Sequence, residues 1–358
     1  MKNTYVLIMA GGVGSRFWPK SRNNFPKQFI DILGIGKSLL QLTFERFEQL
    51  CPADHIFVVT NEQYRDIIQE QLPCISGGQI ICEPSRNNTA PCIAYAVFKL
   101  SALDPDANIV VAPSDHFILY PEIFLDKVRR ALEFTSHNDA LVTLGINPTR
   151  PDTGYGYIKY QPDQDNELFK VEEFKEKPNL EAAKGFLQEG NYLWNAGIFI
   201  WHASALLSAL QRHAPELFEM FESGTEIYNT GQEAGFIAEN YPKSPNISID
   251  YAIMERADNV YTIPAEFGWS DLGTWGSLFE TSQRDSDNNA LCGSRVHVSE
   301  TRDSIIHIQP NKLAVIKGLD GFIVVDEGNA LLIYPKGSEQ EIKTVVSGLQ
   351  NNYGSEFS

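Results

Sequence analysis

Short apolar runs recur along the first half of the chain, at residues 5–9, 56–59, 79–82, 109–112 and 141–144. Between them lie stretches whose apolar residues repeat at helical spacing, 39–50, 62–71, 91–103 and 122–135. An apolar run this short, bounded by turn residues, reads as a strand buried on both faces, and strands that alternate with helices need crossover connections. The pattern predicts an α/β fold, a doubly wound and mostly parallel sheet of Rossmann-like plan with helices on both faces. From 156 to 201 the runs lengthen and alternate (157–160, 169–175, 197–201), so the sheet is expected to continue with insertions, and 203–256 is largely helical. After a polar turn at 284–289 come short strand patterns at 295–298, 304–308, 313–316, 322–325 and 331–334, then a helical tail at 339–349. The expected organisation is a first domain over 1–285 and a small β-rich C-terminal domain over 290–358.

With 358 residues the chain can bury a full core without disulfide or metal staples. The net charge of −17 repels nucleic-acid phosphates and anionic membranes, so neither is an expected partner. Cys51, Cys74, Cys82, Cys92 and Cys292 are odd in number and contain no C-x-x-C pair, which suggests reduced thiols rather than a disulfide framework or a zinc site. No run approaches the roughly 20 apolar residues of a membrane helix, and the opening run is too short for a signal peptide, so a cytoplasmic protein is expected.

The first strand pattern runs into Ala10-Gly-Gly-Val-Gly-Ser-Arg-Phe-Trp-Pro-Lys-Ser-Arg-Asn-Asn-Phe-Pro-Lys-Gln-Phe29. Glycines after a first strand let backbone N–H groups approach a phosphate more closely than a Cβ allows. Spacing excludes two familiar cradles. There is no Gly-Lys-Ser/Thr of a Walker A loop, and Phe17 stands where a dinucleotide fingerprint needs its third glycine. Residues 1–30 carry Lys2, Arg16, Lys20, Arg22 and Lys27 with no acid, a segment of +5 in a chain whose remainder carries −22. Glycines alone would read as a turn with a solvated basic surface. Glycines together with this segregation of charge point to a polyphosphate site, with Arg as a fork and Lys as a point charge.

Two carboxylates far apart in sequence invite the same reading. Asp115 follows the buried run 109–112 in Ala-Pro-Ser-Asp-His116, and ligands of open α/β sheets bind beyond the carboxyl ends of strands. Asp271 lies in Trp269-Ser-Asp-Leu-Gly-Thr-Trp275. Mg²⁺ takes one or two protein carboxylates and completes its shell with water and substrate phosphates, whereas an isolated Asp is more often a turn or N-cap residue.

The segments Gly11-Gly-Val-Gly-Ser-Arg16, Trp18-Pro-Lys-Ser-Arg22 and Pro26-Lys-Gln-Phe29 closely resemble the signature of the sugar-1-phosphate nucleotidylyltransferases, most nearly the mannose-1-phosphate guanylyltransferases. The resemblance runs through separated motifs over about 4–285 and makes 1–285 a nucleotidyltransferase catalytic domain. It implies nucleotide phosphates on Gly11, Gly12, Gly14, Ser15 and Arg16, with Lys27 at the reacting phosphates. It also implies Mg²⁺ on Asp115 and Asp271, so that the catalytic set is Arg16, Lys27, Asp115 and Asp271.

Residues Glu83-Pro-Ser-Arg-Asn-Asn-Thr-Ala-Pro91 join the third strand to a helix, with Asn88 or Thr89 as N-cap and Pro91 in the first turn. Guanine offers N1–H and N2–H₂ side by side, a pair that one carboxylate such as Glu83 can accept and that the other bases lack. The resemblance puts Glu83, Asn87, Asn88 and Thr89 at the base and leaves open which of Glu83, Asn87 and Asn88 touches it. Three further motifs match: Thr153-Gly-Tyr-Gly-Tyr157, Phe174-Lys-Glu-Lys-Pro178 and Trp194-Asn-Ala-Gly197. Read alone they are a tight turn, a charged strand edge and a buried Asn. By resemblance Gly156 permits close backbone approach, Glu176 and Asn195 bind sugar hydroxyls, and Lys177 binds the sugar phosphate.

The reaction implied is transfer of GMP from GTP to mannose 1-phosphate, with Mg²⁺ as cofactor. The alternatives are the same chemistry on another hexose 1-phosphate, or a catalytically silent regulatory subunit that binds nucleotide sugars. In the family the C-terminal part often forms a left-handed β-helix that serves assembly, so a homo-oligomer is expected, a dimer first. The alternating runs over 296–334 suit such a coil, although no regular hexad is visible. Some relatives carry a C-terminal isomerase of cupin type. Here residues 290–358 contain only His297 and His307, so no isomerase activity is expected.

Overall fold

A computed structural model describes residues 3–12, 14–162 and 167–357. Lys2, counted in the cationic segment, and Val13, inside the glycine motif, lie outside the described residues. Backbone contacts divide the chain into two compact units. One is Met1–Gly11, Phe44–Ser114 and Ile118–Trp269; the other is Gly12–Thr43, Asp115–Phe117 and Ser270–Ser358.

Strands in chain order are β1 (Thr4–Met9), β2 (Ile56–Asn61), β3 (Ile80–Glu83), β4 (Asn108–Pro113), β5 (Phe117–Ile118), β6 (Leu141–Ile146), β7 (Tyr157–Tyr160), β8 (Phe169–Lys175), β9 (Tyr192–His202) and β10 (Val260–Pro264). They continue as β11 (Trp269–Ser270), β12 (Ala290–Cys292), β13 (Val296–Ser299), β14 (Ile305–His307), β15 (Ala314–Lys317), β16 (Phe322–Glu327) and β17 (Ala330–Pro335). The helices are α1 (Leu39–Glu48), α2 (Arg65–Gln71), α3 (Thr89–Leu103), α4 (Pro121–Thr135), α5 (Leu180–Glu189), α6 (Ala203–His213), α7 (Pro215–Glu222), α8 (Glu233–Asn240), α9 (Trp275–Thr281) and α10 (Ile342–Tyr353).

The first unit is built on a nine-stranded sheet in the order β3-β2-β1-β4-β9-β6-β10-β8-β7. β1, β2, β3 and β4 are parallel, as their crossover helices require, and β10 is parallel to β6. The inserted strand β9 runs antiparallel to both β4 and β6, so it reaches between them without a crossover. The motif Trp194-Asn-Ala-Gly197 lies inside this eleven-residue strand, which begins earlier than the 197–201 pattern suggested. α3 is buried from Ala90 through Leu100 between the sheet and the helices α6 and α7, and this all-round burial explains its continuous apolar sequence. Asn88 is its N-cap, its Oδ1 accepting from the Thr89 N–H at 2.9 Å. The predicted helix at 62–71 opens as a tight turn over Glu62–Tyr64 because the Asn61 side chain accepts from the Gln63 N–H.

In the second unit β12, β14 and β16 stack in parallel, as do β13 and β15, and β17 closes the stack as an antiparallel hairpin with β16. Val296 pairs with Ala314 and Ile305 with Ile323, a step of 18 residues in both cases, or three hexads per turn of a coil. The preceding step, Ala290 to Ile305, is 15 residues. That half-hexad slip hides the repeat from a reading of the sequence. Ile305, Ile323, Val325 and Leu332 share a core with Phe17, Trp18, Leu272, Trp275, Ile342 and Val346. The glycine motif, the Ser270–Trp275 segment and the C-terminal helix therefore rest on one apolar base.

Candidate active site

The loop after β1 turns at Gly14, whose φ is +61°, and a Cβ there would stand 2.6 Å from Cβ of Lys27. No other residue fits that position without moving Lys27. The Gln28 side chain donates to the Gly12 carbonyl at 2.8 Å, which ties the two ends of the loop together. Lys27 is 4% exposed, and its ammonium spends its donors on three oxygens. It pairs with Asp115 Oδ2 at 2.8 Å and donates to the carbonyls of Asp271 and Leu272, both at 2.9 Å. One lysine thereby joins Asp115 to the turn that holds Asp271. The Asp271 carboxylate faces back on its own turn, where Oδ1 accepts from the Gly273 N–H at 3.0 Å.

These groups line a polar cavity of about 280 Å³ formed by Gly14, Ser15, Arg16, Lys27, Asp115, His116, Asp271, Gly273 and Lys343. Burial pushes the Asp115 carboxyl up, but the ammonium of Lys27, helped by His116, outweighs it and holds the group below its ordinary value. Asp115 is therefore ionised at neutral pH. Two carboxylates, two lysines and an arginine set charges of both signs around one cavity, a donor set chemically suited to a polyanion and a cation. The sequence reading had six of the nine lining residues. It gave His116 no role and had no signal for Lys343, which comes from the far end of the chain.

In the first unit Glu83 is buried, and the Tyr241 hydroxyl donates to its Oε2 at 2.6 Å, while Gly11 passes so close that a Cβ would stand 3.0 Å from Oε1. Burial raises the Glu83 carboxyl, with the Tyr241 hydrogen bond and Arg86 opposing. Asn87 donates to the carbonyl of Ser244 at 2.8 Å and to its hydroxyl at 3.0 Å, and Thr89 Oγ1 accepts from the Ile249 N–H at 2.9 Å. The polar residues of this loop thus anchor it to the 241–249 segment, leaving the carboxyl end of β3 beside Gly11.

Gly156, Glu176 and Asn195 also come together. A Cβ on Gly156 would lie 2.5 Å from Glu176 Oε2, and the Gly156 carbonyl accepts from the Asn195 N–H at 2.8 Å. Asn195 Oδ1 accepts from Thr143 Oγ1 at 2.9 Å and the Gly197 N–H at 3.0 Å, and its amide donates to Asp250 Oδ1 at 2.9 Å. Lys177, at φ +47°, turns its ammonium onto Glu176. Asp250 is the residue that the sequence reading missed. An acid inside the apolar stretch Ile249-Asp-Tyr-Ala-Ile253 was the available signal.

Burial, then the neighbouring Glu176, pushes the Asp250 carboxyl up to about 6. A carboxyl raised on folding contributes stability below its unfolded value of about 4, and that contribution is lost as pH rises through about 6. Asp250→Asn keeps an acceptor for Asn195 and removes the charge. The variant is expected to melt higher than the parent at pH 7.5, by about 1–3 kcal/mol of stability, and no higher at pH 4. Thermal unfolding at the two pH values decides it, and equal melting at pH 7.5 removes the assignment.

A family model described as nucleotidyl transferase matches residues 5–288. The chain belongs to this nucleotidyl transferase family. Among its relatives, a mannose-1-phosphate guanylyltransferase of Salmonella muenchen is 36% identical over 359 residues, covering 98% of this chain and 74% of that protein. Another of the same name, from Escherichia coli, is 34% identical and covers 97% of this chain and 73% of its own length. A crystal structure described as mannose-1-phosphate geranyltransferase from Thermus thermophilus superposes with a TM-score of 0.87 at 30% identity, covering 97% of this nucleotidyltransferase chain and 99% of that one. Among the described residues no helix is long and apolar enough to cross a membrane.

Proposed function

We propose that this nucleotidyltransferase transfers GMP from GTP to mannose 1-phosphate, giving GDP-mannose and pyrophosphate. The observation that carries the reading is the cavity in which the Gly14 turn and Arg16 meet Lys27, Asp115 and Asp271. The guanylyltransferase relatives support the choice of substrates.

A phosphate oxygen of mannose 1-phosphate attacks the α-phosphorus of GTP, the bond to the bridging oxygen breaks, and its electron pair leaves with pyrophosphate. With a second phosphate pKa near ~6, the sugar phosphate is largely dianionic at neutral pH, so no side-chain nucleophile or base is needed. The protein aligns the reactants and offsets their charge. Gly11, Gly12, Gly14, Ser15 and Arg16 cradle the nucleotide phosphates, and Lys27 holds Asp115 and the Asp271 turn in register. Glu83, set by Tyr241, faces the base, with Asn87, Asn88 and Thr89 shaping its loop. Gly156, Glu176, Lys177 and Asn195 take the sugar phosphate. Among the described residues no group of three or more His, Cys, Asp or Glu is placed to hold a metal. Mg²⁺ needs fewer, and the ionised Asp115 with Asp271 on a polar cavity fits it. Bound there, it would supply positive charge at the phosphates. Residues 1–285 are proposed as the catalytic part, and 290–358 as a β-rich part that serves a homo-oligomer in the cytoplasm.

The test is pyrophosphate release by purified protein with Mg²⁺, comparing GTP with ATP, UTP and dTTP, and mannose 1-phosphate with glucose 1-phosphate. Release confined to GTP with mannose 1-phosphate is expected. Release with another pair moves the reading to another hexose phosphate or nucleotide, and no release moves it to a silent binding subunit.

A further inference from the structure

α10 lays its apolar face on the core beneath the glycine motif, with Ile342 wholly buried and Val346 8% exposed, one turn apart in the cluster that contains Phe17, Trp18 and Trp275. Lys343, next to Ile342, lies at the edge of that face and lines the same cavity as Arg16, Lys27, Asp115 and Asp271. The placement is fastened from both sides. Glu339, just before the helix, accepts from the Gly276 N–H at 2.6 Å. Beyond the helix, Trp18 Nε1 donates to the Phe357 carbonyl at 2.6 Å and Arg22 donates to the Glu356 carbonyl at 2.8 Å. The C-terminal segment is thus tied to the motif that frames the cavity.

The charges in the cavity differ in what they have left to give. Lys27 is already matched by Asp115 and two carbonyls. Among the described residues no carboxylate pairs with Lys343 or Arg16. An entering triphosphate therefore meets these two as its uncommitted cations, and the β- and γ-phosphates, which carry most of its charge and leave together, are the part that needs them.

We infer that Lys343 is a phosphate-binding residue for the pyrophosphate end of the nucleotide, so that the C-terminal helix completes the catalytic cavity. This rests on the reading that the cavity takes a nucleoside triphosphate. Inorganic pyrophosphate with Mg²⁺ is the direct probe, titrated calorimetrically into the full chain and into Lys343→Ala and Lys343→Arg. Lys343→Ala is expected to weaken pyrophosphate binding and raise KM for GTP by about ten-fold or more, with KM for mannose 1-phosphate unchanged and Lys343→Arg recovering most of the loss. Because Lys343 is exposed, the variants should melt at the parent's temperature. A parent that does not bind pyrophosphate, or a Lys343→Ala variant with the parent's affinity and KM for GTP, overturns the inference and leaves GDP-mannose formation standing. Loss of pyrophosphate affinity in a protein that makes no GDP-mannose would instead uphold the residue and overturn the substrates.

Discussion

Asp115→Asn is expected to lower the turnover of the proposed GMP transfer, assayed with Mg²⁺, by about a thousand-fold, with a smaller change in KM for mannose 1-phosphate. The substitution preserves shape and removes the charge. It takes away one of the two carboxylates on the cavity, and it leaves the Lys27 ammonium, 4% exposed, with two carbonyls and no counter-ion. The second effect costs about 1–3 kcal/mol of stability, because a buried charge loses its partner. Initial rates across a magnesium titration, together with thermal unfolding, separate the two effects. Lost turnover with a modest loss of stability is the expected pair, and full magnesium-dependent turnover removes Asp115 from the catalytic set.

Arg16→Ala is expected to act through the nucleotide alone. Arg16 is exposed and lines the cavity, so its loss should leave the melting temperature within the range of ordinary surface substitutions, about ±0.5 kcal/mol. KM for GTP should rise and kcat fall to give about a hundred-fold loss in kcat/KM, as removal of a forked charge on a phosphate entails. Arg16→Lys keeps the charge without the fork and should recover only part of it. An unchanged GTP titration in Arg16→Ala means that the glycine motif is a turn and not a cradle.

Much of the fold is legible in the chain because its central strands are short runs apolar throughout, while its helices, α3 apart, carry a polar face. The patterns at 157–160 and 169–175 coincide with β7 and β8, and 141–144 falls within β6. What a local pattern cannot carry is direction. β9 looks like any other apolar run, and its antiparallel insertion between β4 and β6 is fixed by register across the sheet. The cavity was legible where the glycines and charges stand in one segment, and Asp115 where a strand ends. Lys343 was not, because its neighbours around the cavity lie from Gly14 to Gly273, far earlier in the chain. Tyr241 and Asp250 were hidden in a helical stretch whose apolar period masked their side-chain contacts with Glu83 and Asn195.

The close packing of Gly14 on Lys27 makes these two positions one unit of inheritance. Any side chain at 14 must displace the stem of Lys27 and pull its ammonium from Asp115, so a substitution at either position spoils the other's work. Double substitutions there should be strongly non-additive, since the second change finds nothing left to break. A library meant to accept new nucleotides should therefore hold 14 and 27 fixed together, keep Arg16 for the phosphates, and vary the loop proposed to face the base around Glu83.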